Sequence, residues 1–197
     1  MKESLLTILR DEKTTVEHFR QAAHRLADLL AAEATTLVEE KPKTIKTPLA
    51  KTEGAFIHQR IVLVPILRAG MVLVPSFLRY FPDSPLGFFG IRRDEATAAP
   101  QLYYENVPPL KSTDLVFVLD PMIATGGTAV LALQHLKDKG ASHLILVGVL
   151  ASKEGLDKIK KQHPDVTTFV AATDPELNNR KFIVPGIGDF GDRYFGS

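Results

Sequence analysis

The chain has 197 residues, 45% apolar and 24% charged, with a formal net charge of +1. That length and balance suit one soluble globular domain over residues 1–197, and a near-zero charge supplies no global field to draw it to nucleic acid or a membrane surface. There is no cysteine, which excludes disulfides and thiolate metal sites; that agrees with the cytoplasm, as does an opening Met-Lys-Glu-Ser without the apolar run of a signal peptide.

Along the chain, Thr14-x-x-Glu17 reads as a capping box. Behind it Val16, Phe19, Ala23, Leu26 and Leu30 recur at alternating steps of three and four, which predicts an amphipathic helix ending near Ala34. Residues 41–48 read as a polar connector, and residues 61–64 as a short buried strand ending at Pro65. Residues 71–81 predict a helix with Pro75 in its first turns, and 86–91 another strand. Residues 92–109 are polar, turn-rich and aromatic at Tyr103 and Tyr104, and predict a hairpin arm or flap. Then come a strand over 115–119, a helix over 129–137, a strand over 143–149, a helix over 153–162 and a strand over 166–171. Glycines with Asp189 and Asp192 close the chain in a loop. Strands alternating with helices predict an α/β fold with a mostly parallel central sheet flanked by helices on both faces. The longest apolar runs are broken by Pro65, Arg68 and Pro75, so none spans a bilayer.

The most informative stretch is Asp120-Pro121-Met122-Ile123-Ala124-Thr125-Gly126-Gly127-Thr128, set between a buried strand and a helix. Backbone N–H groups left free at a helix start point at an anion, and the helix dipole favours negative charge there. Gly126 and Gly127 let the main chain approach a ligand, Thr125 and Thr128 add hydroxyls, and Asp120 sits at the strand's carboxyl end, where open α/β sheets bind ligands. No lysine lies between Asp120 and Leu136, so this is not a Walker A loop, and its adjacent glycines do not make a dinucleotide fingerprint. An acid, four residues and Thr-Gly-Gly-Thr suit a sugar 5-phosphate, with the acid on the ribose hydroxyls; an ordinary tight strand–helix turn is the competing reading.

Three other segments carry chemistry. Pro65-Ile-Leu-Arg68-Ala-Gly70 also links a strand to a helix and is a second anion site, or an arginine snorkelling at a helix start. A non-proline cis peptide would suit that tight turn. Arg92-Arg93-Asp94-Glu95 follows a strand and by itself reads equally as a solvated turn. The segment 185–192, glycines beside acids, reads from composition as a surface loop. The six histidines are scattered without metal-ligand spacing, and no Gly-x-Ser-x-Gly elbow is present.

Residues 118–128 resemble the phosphoribosyl-pyrophosphate (PRPP) loop of the phosphoribosyltransferases, and a single acid followed by Pro121-Met122 is similar to the uracil phosphoribosyltransferase branch in particular. Residues 63–70, 90–95, 163–166 and especially Ile183-Val-Pro-Gly-Ile-Gly-Asp-Phe-Gly-Asp-Arg193 extend the similarity, with 9–11 and 33–35 matching near the start. The resemblance implies a type I phosphoribosyltransferase fold with a hairpin flap and a C-terminal base-binding hood. It implies transfer of the 5-phosphoribosyl group of PRPP to uracil, giving UMP and pyrophosphate in pyrimidine salvage. Residues 121–128 would wrap the 5-phosphate and Asp120 the ribose, while Arg68 and Arg93 would hold pyrophosphate. Ile183, Gly188 and Phe190 would offer main-chain groups to uracil, and Asp189 would reach toward both substrates. Asp120, Asp189 and Arg68 are the implied catalytic residues.

Magnesium is implied as a companion of PRPP, held mainly by the substrate with no protein metal site, and GTP is raised as an allosteric activator. A homo-oligomer, dimer or higher, is implied, with no nucleic-acid or membrane partner. Arg92 stands where the family often has tyrosine, and Phe190 where it has a small alanine; the phenyl ring either narrows the base pocket or points away while its N–H still serves. Two rivals remain: a phosphoribosyltransferase for another base, and a PRPP-binding regulatory protein with little turnover. Near-zero charge and the lack of a basic–aromatic cluster argue against RNA as a regulator's target.

Overall fold

A computed structural model of the chain describes residues 1–93 and 99–197, Arg93 through its backbone alone. Helices α1 (Lys2–Arg10) and α2 (Val16–Ala34) precede a hairpin of β1 (Glu40–Lys46) and β2 (Lys51–Ile57). Next come β3 (Ile61–Leu67), a 3-10 turn at Ala69–Val72, α3 (Val74–Tyr80), β4 (Phe88–Arg93), β5 (Pro100–Asn106), β6 (Leu115–Leu119) and β7 (Met122–Ile123). The chain continues through α4 (Gly127–Asp138), β8 (His143–Ser152), α5 (Lys153–Gln162), β9 (Thr167–Asp174), β10 (Glu176–Leu177), β11 (Ile183–Val184) and α6 (Phe190–Phe195). No described helix is long and apolar enough to cross a membrane.

Seven strands form the central sheet. In it β5, β4, β3, β6 and β8 are successive neighbours, β7 continues the β6 edge of β8, and β9 lies on the far edge. Every pairing is parallel except β4 with β5. A parallel sheet must be covered on both faces, and its strands alternate between two cores. Leu63, Phe117, Leu119 and Val147 face one side and pack with α1, α2 and α3. Val62, Val64, Val116, Val118 and Leu146 face the other, under α4 and its neighbours. Phe117 is fully buried, stacked on Phe81 with centroids 5.5 Å apart and tilted against Phe77 at 5.3 Å. Helix α2 presents Phe19, Ala23, Leu26, Ala27, Leu30 and Ala34 as one buried stripe, the 3.6-residue period expected of a core-facing helix.

Several boundaries differ from expectation. The cap of α2 is Thr15, whose Oγ1 accepts from His18 N–H at 3.3 Å, not Thr14, which donates to the Ile8 carbonyl. Helix α1, buried through Leu5, Leu6 and Leu9, was not expected; two and a half turns carry too few repeats for periodicity to stand out. The predicted connector over 41–48 is the first half of an antiparallel hairpin, Glu40 pairing with Ile57 and Lys46 with Lys51. Its proline and lysines mask a strand whose exposed residues need no apolar alternation. The predicted helix over 71–81 opens with the 3-10 turn, and its α-helical part runs only over Val74–Tyr80, with Pro75 at its start. The C-terminal loop ends in α6 rather than staying irregular.

Candidate active site

Strand β6 is buried throughout, and its pairing with β3 and β8 fixes where it stops. At that end Asp120 is buried, and its N–H donates to the Val147 carbonyl at 3.0 Å, so the acid is pinned to the sheet edge. Its Oδ1 accepts from Met122 N–H at 3.4 Å. The following loop enters α4 through Gly126, whose φ of +71° is a left-handed value that strains any residue with a Cβ. A Cβ on Gly126 would also lie 2.7 Å from the Gly155 carbonyl oxygen, and one on Gly155 only 2.4 Å from that of Ala124. The loop therefore rests directly on the first turn of α5.

Ser152 fastens the two together. Its Oγ donates to the Ala124 carbonyl at 2.6 Å and accepts from Gly155 N–H at 2.9 Å, capping α5 and holding the loop with one hydroxyl. Thr125 Oγ1 accepts a long 3.4 Å bond from Gly127 N–H, and Gly126 gives α4 no side-chain cap. The start of α4 is thereby left without a side-chain cap, the arrangement in which a helix N-terminus can take an anion.

The second loop leaves β3. The Leu67–Arg68 peptide is cis, the non-proline cis bond expected in this turn. A Cβ on Gly70 would lie 2.3 Å from the Leu119 carbonyl, so the arginine loop touches the chain one residue before Asp120. Arg68 Nη2 donates to Asp192 Oδ1 at 3.0 Å, with the two side chains 60% and 51% exposed. Its guanidinium also stands 5.5 Å from the Phe195 ring centroid.

The C-terminal segment closes over this edge. Asp189 caps α6, its Oδ1 accepting from Asp192 N–H at 2.9 Å, and Gly191 approaches Ala69 of the arginine loop. Arg193 ties α6 to the N-terminal helices: it donates to the carbonyls of Leu9, Asp11 and Ile187 and lies 4.6 Å over the Phe19 ring. Arg10 grips Asp174 with two 2.7 Å bonds and donates to the Gly186 carbonyl, while Asp174 accepts from Gly186 N–H at 2.8 Å. Burial pushes the Asp174 carboxyl up, but Arg10 and the Gly186 N–H pull harder and leave it below the ordinary carboxylate value. A folded value below the unfolded one of about 3.9 means this contact contributes fully above that pH and is lost as pH falls through the folded value. Asp174→Asn should cost roughly 1–3 kcal/mol at neutral pH and flatten the acid limb of a plot of thermal midpoint against pH; an unchanged acid limb would show that Asp174 does not couple to folding.

The flap strands β4 and β5 pair antiparallel from Phe88 with Asn106 to Arg93 with Pro100. Strand β5 runs beside α4: Glu105 accepts from Lys139 at 2.6 Å and meets His135 at 3.2 Å, while Pro100 lies next to Gly127 at the other end of the helix. Arg92 is exposed; the side chain of Arg93 and residues 94–98 lie outside the described residues.

Over residues 1–197 the chain matches the family model for uracil phosphoribosyltransferase. The chain belongs to the uracil phosphoribosyltransferase family. Similar relatives are the uracil phosphoribosyltransferases of Salinibacter ruber, 43% identical over 98% of this chain and 91% of that one, and of Thermus thermophilus, 42% identical over 98% and 93%. A solved protein of Aquifex aeolicus superposes with a TM-score of 0.91 at 33% identity, covering 98% of this chain and 93% of that one. A purine phosphoribosyltransferase from Pyrococcus horikoshii shares the fold at a TM-score of 0.52 and 17% identity, over 76% and 83% of the two chains.

Within this family frame the structure brings Asp120, the 124–128 loop, Arg68 and the Asp189 hood to one edge of the sheet. Ile183 has a buried side chain and pairs with Leu177 in the short β10–β11 bridge. Phe190 is 1% exposed, edge-on to Phe19 at 5.2 Å and nearly parallel to Tyr194 at 6.4 Å. Its ring points into the core and does not narrow a pocket. A cavity of about 430 Å³ lies between α1 and α2, beside Ile8, His18 and Arg25, and none of the expected site residues lines it. Sequence reasoning missed Ser152, Gly155 and the Arg10–Asp174 pair. Ser152 just before a predicted helix was a readable cap signal; the ion pair, separated by 164 positions, left none.

Proposed function

We propose that the chain transfers the 5-phosphoribosyl group of PRPP to uracil, forming UMP and releasing pyrophosphate. The observation that carries this reading is how the arginine loop is joined on both sides: Gly70 lies against the Leu119 carbonyl beside Asp120, and Arg68 pairs with Asp192 of α6 at 3.0 Å. It supports a reading in which a phosphate loop, an arginine and a base-binding loop act side by side. The 5-phosphate sits on the amides of residues 124–128, and Asp120 holds the ribose hydroxyls. Arg68, with Arg93 from the flap, takes the departing pyrophosphate, because a guanidinium offers paired donors and keeps its charge. As the bond from C1′ to pyrophosphate breaks, positive charge grows on the sugar, and the carboxylates of Asp120 and Asp189 favour it. Uracil N1 then bonds to C1′ as its N1–H proton is lost to solvent, and positioning carries most of the rate.

No cluster of three acids or histidines able to hold a metal occurs among the described residues. Magnesium carried in by PRPP would be held chiefly by the substrate's own oxygens and water, with Asp120 the acid proposed for the ribose. When bound, magnesium neutralises pyrophosphate charge.

The main chain around Gly188 and Phe190 reads the base. Fixed backbone groups distinguish uracil from cytosine, whose donor and acceptor at C4 and N3 are exchanged, by a factor on the order of 10⁴. The deciding experiment is pyrophosphate release from PRPP across a panel of bases, with and without GTP. Uracil-dependent release is expected; release that prefers a purine or orotate, or PRPP binding without turnover, would favour a rival.

We also propose a homo-oligomer. Among the described residues the β1–β2 hairpin forms a two-stranded sheet of its own, and it exposes Leu49 at 96%, Ile45 at 44% and Phe56 at 41%. Apolar side chains on such a ribbon suit a subunit contact. Light scattering is expected to give a mass above the 21.7 kDa of one chain; a monomer at working concentration would remove the idea.

A further inference from the structure

The proposed pyrophosphate arginine is held by the hood. Arg68 has one charged partner among its described contacts, Asp192 at 3.0 Å, and it stands beside Phe195 of the same helix. Asp192 is fixed from behind. Its N–H donates to the cap Asp189, its carbonyl accepts from Gly196 N–H at 2.8 Å, and Ser197 Oγ donates to its Oδ1 at 3.3 Å. These bonds hold Asp192 to α6, whereas Arg68 reaches it on a long side chain that is 60% exposed. Both side chains are more than half exposed, so the pair is weak enough for a pyrophosphate to replace it.

We propose that Asp192 is a positioning residue that parks the Arg68 guanidinium against α6 and surrenders it to the pyrophosphate group of PRPP. The inference rests on the reading of Arg68 as a pyrophosphate ligand. It follows that donor binding exchanges one charge pair for another and loosens the link between the arginine loop and the hood that faces the base. The apparent affinity for pyrophosphate is scaled down to the fraction of Arg68 that is not parked.

Titration calorimetry of the intact chain with inorganic pyrophosphate and with PRPP tests this. Asp192→Asn, and independently Asp192→Ser, should tighten pyrophosphate about two- to five-fold, the range of an exposed ion pair. The same change in an Arg68→Gln background should have no effect. In steady state the KM for PRPP should fall while the KM for uracil at saturating PRPP stays within twofold. Unchanged or weaker affinity in both variants, with their melting curves intact, overturns the proposal. Equal tightening in the Arg68→Gln background also overturns it, because that result reports only the removal of a negative field. A wild-type chain that binds neither pyrophosphate nor PRPP overturns the functional reading itself, and is recognised before any variant is compared.

Discussion

Arg68→Ala should lower kcat/KM for PRPP by about 10²–10³-fold, the usual loss when one preorganised charge partner of a developing anion is removed. Arg68 sits on the turn that contacts the end of β6 at Leu119, next to the acid proposed for the ribose. The fold should survive. The residue is 60% exposed on its side chain, and its Asp192 partner is exposed as well, so the pair contributes about 0–1 kcal/mol to stability. For a chain of this size that corresponds to a thermal shift of no more than about 4 °C. Arg68→Lys should recover only part of the rate, since an ammonium keeps the charge and loses the planar fork. Wild-type kinetics in Arg68→Ala would remove the pyrophosphate role.

Gly126→Ala and Gly155→Ala should each cost about 2–4 kcal/mol of stability and weaken PRPP binding at least tenfold. A methyl at Gly126 meets both a left-handed φ and the Gly155 carbonyl at 2.7 Å. A methyl at Gly155 meets the Ala124 carbonyl at 2.4 Å. Both obstacles are backbone, which cannot rotate aside, so the loop must lift from α5 and break the Ser152 bonds on both sides. Chemical denaturation and PRPP titration measure the two effects separately. An unchanged midpoint together with unchanged PRPP affinity would falsify this packing account.

The sheet and the phosphate loop were legible in the sequence because their signals are local. Apolar runs such as 115–119 and the acid–glycine–threonine loop after them report burial and backbone approach within a dozen letters. The direction of the Phe190 side chain was not legible. Whether that ring enters the base pocket depends on Phe19 and Tyr194, and Phe19 belongs to a helix more than 170 residues away. Helix α1 and the β1–β2 hairpin failed for opposite reasons. The first is short for its buried face, and the second has no buried face to create alternation. Arg68 was read as an anion ligand, but its partner Asp192 was not foreseen, because an ion pair across 124 positions has no sequence signature.

The grip of Arg193 on the carbonyls of Leu9 and Asp11 spans more than 180 positions, whereas Ser152 reaches Ala124 across 28. Closing the longer span costs more chain entropy, and contacts of high sequence separation are slow to form. The two sides of the proposed cleft therefore mature on different clocks: the loop after β6 is fastened by a neighbouring segment, while the hood waits for α1 and α6 to find each other.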